Sequence, residues 1–189
     1  MALKSGELAG LTIPQQTYPR VKRWLDAAQV SKTDGSQYVY NPFAADTEQQ
    51  RHGRRPTPAM TAVGLLMRLY TGWNRNDPQM IAGAEHLLAE LPAIGTQGKP
   101  SRDTYYWYYA TQVMFHMGDK YWKAWNDRLH PLLVERQVQT GPMAGSWDPL
   151  LPVPDRWGPQ AGRMYVTTLN LLSLEVYYRH LPIYEATAK

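Results

Sequence analysis

The chain has 189 residues, 43% of them apolar, enough for a hydrophobic core in one domain or in a piece of a larger repeat domain. It contains no cysteine, which excludes a disulfide framework and thiolate zinc sites. The net charge is +4 with only 19% charged residues, which argues against a dense basic face for nucleic acid, and no apolar run reaches the roughly 18–20 residues of a membrane span. The aromatic balance is unusual: 13 Tyr and 7 Trp stand against 2 Phe. Tyr and Trp join a large apolar body to a polar tip and suit places where a core meets a groove or water.

In chain order, residues 1–11 read as a helix rich in small residues, closed by Gly10. This opening looks like the middle of a helix, so a fragment of a longer protein is expected, and the compartment is left open. No signal-peptide pattern is recognisable. Residues 18–30 are amphipathic, with Val21, Trp24, Leu25 and Ala28 on one face. A turn at Asp34-Gly35 and a short extended piece, Tyr38-Val39-Tyr40, follow. The basic cluster Arg51-His52-Gly53-Arg54-Arg55 reads as a solvated loop before Pro56 and Pro58, although it can also contact an anion. Residues 59–70 are apolar almost all round, the mark of a helix buried on most sides. Residues 79–90 form the next helix, with Asp77 as its cap and Pro78 at its first position.

After a loop at 95–100, Asp103 caps a helix over 104–117 that Gly118 ends. Asp119 is placed to cap an amphipathic stretch running to 139, which Pro131 should kink or split. Residues 141–162 form a loop with five prolines, long for a compact domain and therefore a candidate for function. The last helix covers 162–180, and Pro182 closes it. Very little reads as strand. The stretches starting at Ala62, Ala110 and Thr168 each pair a small residue with two apolar ones three and four positions on. They begin about 50 residues apart, each in an apolar helix. An alternation of buried and amphipathic helices results, as in a helical repeat array.

Gln137 followed by Gly145-Ser146-Trp147, preceded by Leu132-Leu133-Val134, resembles the QW repeat of squalene–hopene and oxidosqualene cyclases. Trp24-Leu25, Gln29 and Gly35 match its first half, with Tyr38 near the place of the Trp. The runs at 105–112 and 162–168 are similar to planctomycete-type proteins with prenyltransferase and squalene-oxidase repeats. The resemblance spans nearly the whole chain. It implies an all-α fold, an α/α toroid-like array of inner and outer helices forming an incomplete ring of about three and a half repeats. One repeat domain over 1–189 is expected, with helix pairs at 1–30, 58–91 and 103–139 and a final inner helix at 162–180.

The family's chemistry does not carry over. The Asp-x-Asp-Asp acid of class II cyclases, the Asp-Asp-x-x-Asp of class I terpene synthases and the zinc cysteine of protein prenyltransferases are all missing. His52, His86, His116, His130 and His180 stand singly, so no metal is expected, and no P-loop, dinucleotide or Gly-x-Ser-x-Gly pattern implies a cofactor or nucleophile. Ser146 reads as a turn residue. The best binding candidates are Tyr105, Tyr108, Tyr109 and Gln112, which share a helix face, with Trp147, Asp148, Arg163 and Tyr165 around the proline-rich loop. Such an aromatic wall can take an apolar or glycan ligand or stabilise a cation, or it can simply pack. Arg163 at a helix start is ill placed for the helix dipole, so a structural pair with Asp148 or Asp155 is favoured over catalysis. The expectation is a non-catalytic module binding a small ligand, the missing repeats of a longer protein or a second copy of itself. The alternative is a terpene cyclase-, prenyltransferase- or polysaccharide lyase-like enzyme with an aromatic-lined cavity.

Overall fold

Where the sequence offers a cap, the backbone takes it, and the helices that follow account for most of the fold. The computed structural model describes residues 2–30 and 37–179. The Asp34-Gly35 turn and the closure of the last helix at His180 and Pro182 lie outside those residues. The protein is all-α, with eight α-helices and one two-stranded sheet among the described residues. It divides into two compact units, Met1–Leu87 and Leu88–Lys189.

The first unit holds α1 (Ala2–Leu8), α2 (Thr17–Ala28), a 3₁₀ turn (Arg51–Arg54), α3 (Pro58–Tyr70) and most of α4 (Pro78–Leu88). In α2 only Leu25 and Ala28 are buried, while Trp24 is 45% exposed, so the apolar face is narrower than its spacing predicts. Thr57 caps α3, its Oγ1 accepting from the Met60 N–H at 3.1 Å with Pro58 in the first turn. The buried face of α3 includes Gly64 because the Tyr38 ring lies there: a Cβ would meet its Cδ1 and Cδ2 at 2.6 Å. The charge buried in this helix is answered. Arg68 donates to Asp26 at 2.7 Å and to the Tyr38 hydroxyl at 3.0 Å, and its guanidinium lies 4.6 Å from the Trp73 ring centre. Of the expected extended piece, Tyr38 bridges Gln29 and Val39 bridges Pro56, while Tyr40 already lies in a bend. Arg51, His52 and Arg54 stand exposed on the 3₁₀ turn, in keeping with a solvated loop. Asp77 stands immediately before Pro78, the first residue of α4. Its carboxylate turns back to accept from the Asn74 N–H at 2.8 Å.

The second unit is built around α5 (Thr104–Met117), which packs against α6 (Asp119–Arg136), α7 (Gly158–Leu174) and α8 (Val176–Arg179). Asp103 caps α5 through the Tyr106 N–H at 3.0 Å, and Gly118 ends it at a φ of 69° that favours glycine. A short antiparallel pair, Gly95–Thr96 with Lys99–Pro100, precedes it inside the predicted loop. Helix α6 buries Tyr121, Trp125, Leu129 and Leu133, a stripe of every fourth residue.

Three expectations are corrected here. Asp119 is the first residue of α6, with Gly118 rather than Asp119 in the cap position. Pro131 does not split α6, because it and the Asp127 carbonyl it would have bonded stand on the exposed side. The last helix does begin at Gly162 as predicted, where the backbone leaves helical dihedrals (φ 75°, ψ −175°) that only glycine adopts comfortably; the residues of α7 before it, from Gly158, are a separate helical segment joined across that kink. Helix α7 is also not buried on most sides. Only Gly158, Val166, Asn170 and Ser173 are buried, and Met164 is 84% exposed.

Candidate functional site

The aromatic run of α5 splits by helical geometry into two faces. Tyr106, Trp107 and Tyr108 are buried, whereas Tyr105 and Tyr109 are half-buried, one turn apart. The Tyr105 and Tyr109 ring centres are 4.8 Å apart, and Tyr108 meets Tyr109 edge-on at 5.0 Å. Gln112 is buried, its amide donating to the Tyr108 carbonyl at 3.3 Å. Of the predicted wall, Tyr105 and Tyr109 keep access to solvent while Tyr108 and Gln112 belong to the interior.

Tyr165, from α7, lies within electrostatic reach of Tyr109, Asp103 and Asp155. Burial, reinforced by these neighbours, pushes the Tyr165 hydroxyl up to about 12. Burial likewise pushes Tyr109 up to about 12, with Tyr105 contributing. Both phenols are therefore neutral donors at physiological pH. A phenol loses its neutral form on ionising, so the unfolded chain releases its protons first, near the ordinary value of 10. The stability these groups contribute is full below pH 10 and declines as the pH rises toward about 12. Phenolate absorbance in an alkaline titration should show late-titrating tyrosines, with one fewer titrating near 12 in each of Tyr109→Phe and Tyr165→Phe. Their titration at the ordinary value would contradict this.

The remaining predicted residues gather on the loop between α6 and α7. The Trp147 indole is 1% exposed and its Nε1 donates to the Leu133 carbonyl of α6 at 2.8 Å. Its own N–H donates to Thr167 Oγ1 of α7 at 3.2 Å, so one residue ties the two helices together. Gln137 Nε2 donates to the Gly145 carbonyl at 3.0 Å, and Val138 exchanges backbone bonds with Ser146 and Gly145 at 2.8 Å each. Ser146 sits in this turn and accepts from Arg163. Asp148 pairs with Arg163 at 2.5 Å, as the poor dipole position of that arginine predicts, and also accepts from the N–H groups of Leu150 and Leu151. Burial acts to raise the Asp148 carboxyl, but these N–H groups and Arg163 outweigh it and hold the group below its ordinary range.

Sequence reasoning undervalued Asp155. This carboxylate is 1% exposed and accepts from the first N–H of α5, at Thr104, and from those of Trp157 and Gly158 at the start of α7. One side chain thus satisfies orphan donors at two helix starts, where the dipoles also favour its charge. Arg102 and Asn170 were missed altogether. Arg102, just before the α5 cap, is buried and donates to the carbonyls of Leu151 and Val153 at 3.0 and 3.4 Å. Burial lowers its pKa, against the pull of Asp155 and Asp148. Asn170 was readable as the polar residue inside the apolar run 168–172. Arg102, Arg136 and Asn170, with Trp107, Trp147 and Leu133, line a small cavity of about 10 Å³, room for about one water molecule.

Among the described residues no group of three or more His, Asp or Glu side chains is placed to hold a metal, and no helix is long and apolar enough to cross a membrane. No family model, curated protein or solved structure matches the chain.

Proposed function

We propose that this chain is a non-catalytic, terpenoid-cyclase-like toroid module, a prenyltransferase/squalene-oxidase repeat segment that binds a ligand or partner within a larger protein. The observation that carries the reading is the employment of the charged groups around the proline-rich loop. Asp148 holds Arg163 and two backbone N–H groups, and Asp155 holds two helix starts. A general acid or base must be free to approach substrate at the moment of proton transfer. Carboxylates each fixed by three donors are scaffolding.

Binding fits the remaining surfaces. Trp157, Met164, Leu171 and Tyr178 are exposed at 46, 84, 42 and 91% along α7 and α8, apolar area of the kind that covers a neighbouring repeat or a second copy. The half-buried Tyr105 and Tyr109 offer rings for an apolar or glycan ligand. The test is incubation of the purified protein with polyprenyl diphosphates and with glycan polymers, together with light scattering. No product and self-association that Met164→Glu weakens are expected. Turnover of either substrate class would sink the non-catalytic reading, and a strict monomer would remove the second copy as partner.

A further inference from the structure

The small cavity behind the loop is independent of that reading and has a chemistry of its own. Its polar lining consists of Arg102, Arg136 and Asn170, set among Trp107, Trp147 and aliphatic side chains. Asn170 is 1% exposed, and its Nδ2 has no hydrogen-bond partner, so a buried donor pair faces a space rather than an acceptor. Arg102 is 5% exposed, and Arg136 faces the same space from an exposed position at the end of α6. Arg102, whose Nη1 also donates to the Leu151 and Val153 carbonyls, and Arg136 place two like charges on one small space. No carboxylate is in its lining. Asp148 and Asp155, whose charges reach Arg102, are held by Arg163 and by the backbone N–H groups of the loop and the helix starts.

We propose that this cavity is a binding site for one monatomic anion of the chloride class, held by Arg102, Arg136 and the Asn170 amide. Size and donor chemistry both select it. The space has room for about one water-sized sphere, which suits a small spherical anion better than phosphate, sulfate or another polyatomic anion. A water there meets an excess of donors and must also place its own two hydrogens. An anion only accepts, and it relieves the repulsion between the two guanidinium groups. The bound ion joins the residue before the α5 cap, the end of α6 and the middle of α7, so it acts as a clamp within the second unit.

The test combines crystals soaked in sodium bromide with melting curves at fixed ionic strength in sodium chloride and in sodium gluconate. An anomalous bromide peak between Arg102, Arg136 and Asn170 is expected. Wild-type protein should melt about 3 °C or more higher in chloride than in gluconate. Arg136→Gln, at an exposed position, should lose that difference, while Lys123→Gln, an exposed cation of α6 outside the cavity lining, should keep it. A water or no density in the cavity overturns the proposal. So does a chloride effect of equal size in Arg136→Gln. A bromide peak without the chloride-specific shift is binding at crystal concentration only and overturns it as well.

Discussion

Replacing Asp155 with Ala is expected to cost about 3–5 kcal/mol of folding stability, the range for breaking a buried charged network by removing one partner. The side chain is 1% exposed and takes N–H bonds from Thr104 at 2.9 Å, Trp157 at 3.0 Å and Gly158 at 3.1 Å. Alanine leaves the Thr104 and Trp157 N–H groups at two helix starts without this acceptor, while the Gly158 N–H keeps only its bond to the backbone carbonyl of residue 155. It also removes the negative charge that Arg102 feels most strongly. Asp155→Asn should fall between, about 1–3 kcal/mol, since one amide oxygen can keep part of the set while its NH₂ faces donors. Asp148→Ala removes a half-buried pair and should cost about 1 kcal/mol. Urea unfolding of the three variants orders them. If Asp155→Ala lies within about 0.5 kcal/mol of wild type, as at an ordinary surface site, Asp155 does not hold these helix starts.

The contrast between Asp155 and Asp103 shows what is legible in a sequence. Asp103 sits next to the helix it caps, and a local rule finds it, together with Gly118 at the other end. Asp155 also acts on α5, but from 51 residues away, and no local pattern links it to Thr104. The same difference separates Pro131 from Gly162. Both break rules of helix interiors, yet only tertiary context decides that the bond missing at Pro131 faces water and that Gly162 interrupts α7. The helical class was readable from periodicity and caps. The burial of α7 was not, because apolar residues at helical spacing say which face is apolar and not whether anything covers it. For the candidate site, Tyr105, Tyr108 and Tyr109 adjoin one another as spacing predicts, and Arg163 found Asp148 by charge logic. Asn170 carried a signal, a lone amide in an apolar run, that became meaningful only beside Arg102 and Arg136.

Trp147 should matter far more than the glutamine that precedes it by ten residues. Trp147→Ala removes a 1% exposed indole and its bond to the Leu133 carbonyl, so a loss of about 3–5 kcal/mol is expected. Trp147→Phe keeps much of the apolar volume but leaves that carbonyl without its donor, and should cost about 1–3 kcal/mol. Gln137→Ala removes a bond to the Gly145 carbonyl that lies in water's reach, so about 0.5–1 kcal/mol is expected. The turn around Gly145 keeps its backbone bonds through Val138 in every one of these variants. The order therefore reports which end holds the loop. A larger loss for Gln137→Ala than for Trp147→Phe would mean that the turn is the anchor and the indole merely fills space. The expected order puts the anchor where α6 and α7 meet the indole, and it makes the glutamine a brace on the turn that delivers Trp147 to its place.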